Sequence, residues 1–224
     1  MNWPGANQAR HLLLLVLLLL IFILSPFVLP YYYGPTILNI IAAIVFLSAT
    51  YAVSARRNFW IFGLSLSVVS IVLTFWLAAA RSHWLVILSH GSLVIVIGFF
   101  AVAILSYVLG RGRVTSDKIY GAICVYLLFG YGFAFVYSLI EEVQPGSFTT
   151  LTTIGAHDLV SRVMQMRYFS FVSLTSVGYG DIVPHSQLAR TIALLEAMLG
   201  QFYLVALIGR LVGLHIVHGG EKRG

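Results

Sequence analysis

Long apolar runs separated by short polar breaks account for most of this chain. Residues 12–24, 37–53, 59–80, 84–109, 119–140 and 188–217 are apolar almost without interruption. A helix rises 1.5 Å per residue and about 20 apolar residues cross the hydrocarbon core of a bilayer, so the runs predict six spanning helices. The breaks between them carry turn and headgroup chemistry: Tyr31-Tyr32-Tyr33-Gly34-Pro35, Arg56-Arg57, Arg81-Ser82-His83, and Gly110-Arg111-Gly112-Arg113 followed by Lys118. The first run continues through Pro26 to residue 29 without a small-residue cleavage site, which predicts a retained helix rather than a removable signal.

The pattern changes after Glu141-Glu142. Residues 141–167 form the longest non-apolar stretch, with Pro145, Gly146 and a run of threonines. Residues 159–175 are semi-apolar and helix-compatible, with Asp158 as the N-cap, yet too short and interrupted to span, so they predict a re-entrant segment. Directly behind it lies Thr175-Ser176-Val177-Gly178-Tyr179-Gly180-Asp181, before Pro184 and His185 lead into the last run. Irregular backbone is tolerated at membrane depth only where protein buries it or where it lines a wet pathway, because lipid offers no hydrogen-bond partners.

Composition and charge sharpen this picture. A chain that is 60% hydrophobic and 9% charged is not a soluble globular domain. Cys124 is the only cysteine, which excludes an intrachain disulfide and argues against a cysteine metal site. The net charge of +6 does not point to nucleic acid, since the thirteen Lys and Arg sit singly or in pairs at the edges of apolar runs. With the N-terminus inside, Arg10, Arg56, Arg57, Arg111, Arg113, Lys118, Arg210, Lys222 and Arg223 lie at the cytoplasmic side, against Arg81, Arg162, Arg167 and Arg190 outside. That asymmetry predicts cytoplasmic N- and C-termini and a re-entrant segment entering from the outside.

The glycine-containing stretch has the makings of a cation site. A dehydrated cation needs oxygens of comparable polarity to its lost water, and rings of backbone carbonyls supply them. Gly178 and Gly180 make a positive φ cheap at alternate positions, Ser176 adds a hydroxyl at the inner end, and Val177 and Tyr179 are expected to turn away into packing. One chain supplies one wall, so a closed ring implies a homo-oligomer.

Residues 175–181 resemble the selectivity filter of the potassium channel superfamily, T-x-V-G-Y-G-D. Tyr168-Phe169-Ser170-Phe171-Val172-Ser173-Leu174 resembles its pore helix, Arg190 falls at the outer end of the inner helix, and Gly200 falls at that helix's hinge glycine. The resemblance covers residues 119–217. It implies an all-α integral membrane fold with six transmembrane helices, a re-entrant pore helix and filter between the fifth and sixth, and a homotetrameric pore of the kind found in bacterial inner membranes. It further implies that carbonyls of Ser176, Val177, Gly178 and Tyr179 coordinate K⁺, that Thr175, Gly180 and Asp181 complete the filter, and that Gly200 bends. Gln201, Leu204, Ile208 and Val212 share one helical face, which the resemblance places on the cavity. Tyr168 and Asp181 are expected to tie filter to pore helix. Glu196, an acid within a spanning helix, is expected to face the pore helix at Ser173 or Thr175 rather than lipid. Ser176 stands where threonine is usual.

The implied domains are 1–113, a four-helix membrane domain; 114–218, the pore domain; and 219–224, a short tail with no room for a ligand-sensing domain. Six helices also suggest voltage gating, but residues 84–109 contain no Arg or Lys, and one charge crossing the field yields only about 2.3 kcal/mol per 100 mV. Steep voltage dependence is therefore not expected. His90 is expected buried and neutral, His157 and His185 solvated near the mouth, and His215 with His218 too sparse for a metal site. No catalytic residues and no cofactor beyond permeant K⁺ are expected. The alternatives are a less selective cation pore, a potassium transporter, which would need four related loops, and an intramembrane enzyme or non-channel membrane subunit.

Overall fold

A computed structural model describes residues 10–54, 57–80, 82–110, 115–150 and 159–220. Seven helices and two short strands occur among them: α1 (Arg10–Val28), α2 (Gly34–Ala52), α3 (Arg57–Ala80), α4 (His83–Leu109), α5 (Ser116–Val143), β1 (Phe148–Thr150), α6 (Leu159–Leu174), β2 (Ile182–Pro184) and α7 (Gln187–Gly220). All but α6 are long and apolar enough to cross a membrane. Each apolar run read from the sequence coincides with a helix to within a few residues at either end. The N-cap expected at Asp158 lies outside the described residues, as does His157.

Helix starts follow local chemistry. Pro35 sits in the first turn of α2, where a missing N–H costs nothing. Thr115 caps α5, its hydroxyl accepting from the Lys118 N–H at 3.4 Å.

α5 is the pivot of the bundle, contacting α1 and α4 on one side and α6 and α7 on the other. Leu14 and Leu18 of α1, Val96, Phe100 and Ile104 of α4, and Val125 of α5 form the centre of the larger core. In lipid, apolar contact alone gives little drive for helices to associate, so polar cross-links carry added weight. The Tyr131 hydroxyl donates to the Leu18 carbonyl at 3.0 Å. At the end of the bundle remote from the strands, buried His11 stacks on Tyr107 and lies 2.8 Å from the Asp117 carboxylate, which also accepts from the Tyr107 hydroxyl at 2.9 Å. That cluster joins α1, α4 and α5. At the same end Lys118 and Arg210 both donate to the Gly110 carbonyl, at 3.0 and 2.9 Å, satisfying an orphan acceptor at the end of α4 and tying α7 to it.

The strands were not expected from sequence. β1 and β2 pair antiparallel, with Phe148 opposite Pro184, Thr149 opposite Val183 and Thr150 opposite Ile182. Three residues are too few to show an alternating pattern. The turn before β1 is held by Glu141, whose carboxylate accepts from the N–H groups of Gly146 (φ +84°) and Phe148 at 2.9 and 3.1 Å. The Ser147 carbonyl then accepts from the His185 N–H at 2.7 Å, joining both arms that flank α6. A second core of Tyr137, Ile140, Phe148, Met166, Phe169 and Ile182 fills the space beneath.

Candidate functional site

α6 ends in a way that delivers the chain to the glycine stretch. The Ser176 N–H bonds to the Ser173 carbonyl at 2.9 Å, and the Val177 N–H reaches back five residues to the Val172 carbonyl at 3.0 Å. This is the paired closure of a Schellman motif, with Ser176 in the left-handed position at φ +57°. Glycine is usual there, and an L-residue costs about 1–2 kcal/mol. Two contacts at Ser176 offset this: the helix-closing bond, and the Gln201 side-chain amide, which donates to its hydroxyl at 3.0 Å.

Positive φ recurs at Gly178 (+59°) and Gly180 (+76°), while Val177 and Tyr179 are not in that region. Handedness thus alternates residue by residue from 176 to 180. Alternation turns successive peptide planes the same way, so carbonyls along the stretch can share one side. The sequence-level expectation assigned positive φ to the two glycines; Ser176 extends the alternation by one step. The α6 carbonyl end, which carries the negative pole of the helix dipole, abuts this strand at Leu174.

The surrounding contacts fix the position of α6. Gly200 in α7 is buried where a Cβ would lie 2.3 Å from the Leu174 carbonyl oxygen, and the Tyr126 hydroxyl donates to that oxygen at 3.2 Å. α7 runs through Gly200 without interruption in this conformation, so the feature visible here is close approach rather than a bend. Gly200→Ala is expected to push α7 away from α6, an overpacking penalty of about 1–3 kcal/mol, and to lower the thermal midpoint of the purified protein by about 5 °C. Differential scanning fluorimetry in detergent reads this directly.

One turn earlier on each helix, Glu196 meets Ser170. Glu196 is fully buried; its carboxyl oxygens lie 2.5 Å from the Tyr137 and Ser170 hydroxyls. The acid therefore faces α6, as expected, and α5, but at Ser170 rather than at Ser173 or Thr175. The seating of Gly200 on Leu174 sets the register, and stepping back four residues on both helices pairs 196 with 170. The Ser170 oxygen is also 2.7 Å from the Gly130 carbonyl. A single hydroxyl proton cannot serve both acceptors, and the count closes when the Glu196 carboxyl supplies the second.

The Thr175 hydroxyl donates back to the Phe171 carbonyl at 2.6 Å, capping α6. Tyr168 lies on the exposed face of α6, its ring parallel to that of Tyr179 at 6.4 Å, and hydrogen bonding to the Asp181 carboxylate pushes its phenol above the usual value. Val177 and Tyr179 are exposed within a single chain, 54% and 71%, so apart from that stacking their own subunit does not pack them. Gln201 is exposed and joined to Ser176, and Leu204 is half-buried; the side chains of Ile208, Val212, His215 and His218 lie outside the described residues. His90 is buried, as expected, and sits beside the Phe135 ring. Arg190 donates to the Pro184 carbonyl at 3.1 Å, fixing the start of α7 to β2. Tyr137 and Ser170 were missed from sequence; a tyrosine and a serine in apolar helices carry no signal until the acid they face is known.

Residues 158–214 match the family of proteins described as ion channels. Over this part the chain is similar to ion channels. The matched segment takes in α6, the glycine stretch, β2 and most of α7, and with them Ser170, Glu196, Gly200 and Gln201, whereas Tyr126, Gly130 and Tyr137 of α5 lie outside it. No curated protein and no solved structure matches the chain. Its six membrane-capable helices and this domain make it a multi-pass membrane protein that handles ions. α5 contacts α1 and α4 as well as α6 and α7, and so joins the matched segment to the helices that precede it.

Proposed function

We propose that the protein is a homotetrameric, K⁺-selective channel in which α6 is the re-entrant pore helix and residues 175–181 are the filter. The observation that carries this reading is the alternation of backbone handedness at Ser176, Gly178 and Gly180, directly behind a helix whose carbonyl end faces the same place. Carbonyls of Ser176, Val177, Gly178 and Tyr179 replace the hydration shell of K⁺, and the Ser176 hydroxyl, oriented by Gln201, forms the innermost site. Within one chain this strand is exposed on all seven residues but Asp181, and exposed irregular backbone cannot face lipid. Symmetry-related copies cover it. The exposed apolar side chains of Leu194, Met198, Phe202 and Val205 on α7 are available for those contacts.

In the tetramer the Gln201, Leu204, Ile208 and Val212 face lines the cavity and Gly200 permits the inner helix to bend. Without Arg or Lys in α4, gating is not steeply voltage-dependent. The basic residues orient both termini to the cytoplasm of a bacterial inner membrane.

Proteoliposomes under opposing K⁺ and Na⁺ gradients test the reading. The expected reversal potential follows K⁺; one indifferent to K⁺ assigns the less selective cation pore instead. Gln201→Leu removes the donor to the Ser176 hydroxyl from an exposed position, where a hydrogen bond is worth about 0.5–1.5 kcal/mol. The K⁺ concentration giving half-maximal flux should rise about 2- to 10-fold while the tetramer survives.

A further inference from the structure

The helix bundle holds a cavity of about 980 Å³ whose lining reaches the end of the bundle where the strands lie. It is bounded by α1 to α5, and its remaining wall is the N-terminal half of α6. The floor is apolar, with Leu93, Ile97, Phe46 and Leu128; the cations come from α6 as Arg162 and Arg167. α4 contributes no cation of its own, so the charge in this domain is lent to it by the pore domain.

Three features of the wall point to a ligand. The Arg167 guanidinium donates to the Ser25 hydroxyl and lies 5.6 Å over the Phe22 ring, with no carboxylate partner among the described residues. A half-buried guanidinium placed between a hydroxyl and a ring has no counter-charge beside it. His90, 4% exposed, lines the same cavity with its Nδ1 unpartnered. The one acid in the wall, Glu142, is already engaged by Arg162 at 2.9 Å and by His83 at 2.5 Å, leaving the local balance positive. Between His90 and Ile97 at the floor, seven helical steps span about 10 Å, room for the first part of an alkyl chain laid along α4. The volume is that of a small-molecule site.

We propose that this cavity binds an anionic amphiphile, with its carboxylate or phosphate oxygens on Arg167 and His90 and its chain against Leu93 and Ile97. Because Arg167 belongs to α6, the ligand touches the same helix that presents the glycine stretch. The site does not depend on what the channel conducts, and its test is a binding measurement.

The full-length protein in non-ionic maltoside micelles is titrated with radiolabelled dodecanoate by equilibrium dialysis, with dodecyltrimethylammonium as the probe of opposite charge. Saturable uptake of about one dodecanoate per chain is expected, with the cationic probe at least tenfold weaker. Arg167→Gln should weaken dodecanoate about tenfold or more. If that variant fails to fold, His90→Phe, which keeps the ring volume and removes the nitrogen, should weaken it several-fold, and Ala43→Phe should block the cavity. Repeating the titration in nanodiscs separates the sources: competition by phosphatidylglycerol over phosphatidylcholine assigns the site to a lipid headgroup, and indifference to lipid charge assigns it to a free amphiphile. Equal affinity for the two probes, no saturable dodecanoate uptake, or unchanged uptake in folded His90→Phe and Ala43→Phe overturns the proposal.

Discussion

Gly178→Ala is expected to abolish selective K⁺ conduction. Gly178 has φ +59°, and the space around an added Cβ is empty within the chain, so the penalty is one of backbone conformation rather than collision. An alanine there costs about 1–2 kcal/mol per copy. Four copies in one ring bring this to roughly 4–8 kcal/mol, comparable to the total stability of a domain. Ser176 tolerates the same region because the helix-closing bond and the Gln201 amide hold it, whereas the Gly178 N–H has only a 3.4 Å contact to the Val172 carbonyl. In the alanine variant a relaxed backbone at this position rotates its carbonyl off the shared side and breaks the ring. Proteoliposome K⁺ flux is expected to fall to about 1% of the parent or below, with the tetramer intact by gel filtration, a loss equivalent to about 2.7 kcal/mol. Undiminished flux with ordinary K⁺-over-Na⁺ selectivity would show that residues 175–181 are not the filter.

The largest stability effect is expected at Glu196. Glu196→Ala strips the Tyr137 hydroxyl of its only described partner, removes that of Ser170 on one side, and leaves a void in a fully buried seam between α5, α6 and α7. An unsatisfied buried hydroxyl costs about 1–3 kcal/mol and the void adds to it, for a sum of about 3–5 kcal/mol. The thermal midpoint should drop by about 10 °C. Glu196→Gln behaves differently: its carbonyl accepts from Tyr137, its amide donates to the Ser170 oxygen, and Ser170 still donates to the Gly130 carbonyl. The glutamine variant is expected within about 2 °C of the parent. If it is as damaged as the alanine variant, the seam requires the carboxylate charge and the proton count fails.

The sequence by itself determined the number and limits of the membrane-capable helices and the place of the glycine stretch. Both are local properties: lipid demands a long run without polar interruption, and a stretch with two alternate glycines can be recognised without its neighbours. The short sheet between Phe148 and Pro184 was not legible because three-residue strands show no period, and neither was the left-handed turn at Ser176, since serine at that position carries no signal of its own. The partners of Glu196 depended on helix register. Its chemistry announced a buried contact with the segment now seen as α6, but only the seating of Gly200 against Leu174 decided that Ser170 and Tyr137, rather than Ser173 or Thr175, would meet it. The same holds for Arg162 and Arg167. Along the chain they read only as basic residues on the outer side, and the packing of α6 against the preceding helices makes them part of the wall of a cavity. Apolar patterning states which face of a helix is buried, whereas the identity of what it is buried against is set by how separate helices cross, and no single stretch of sequence encodes that.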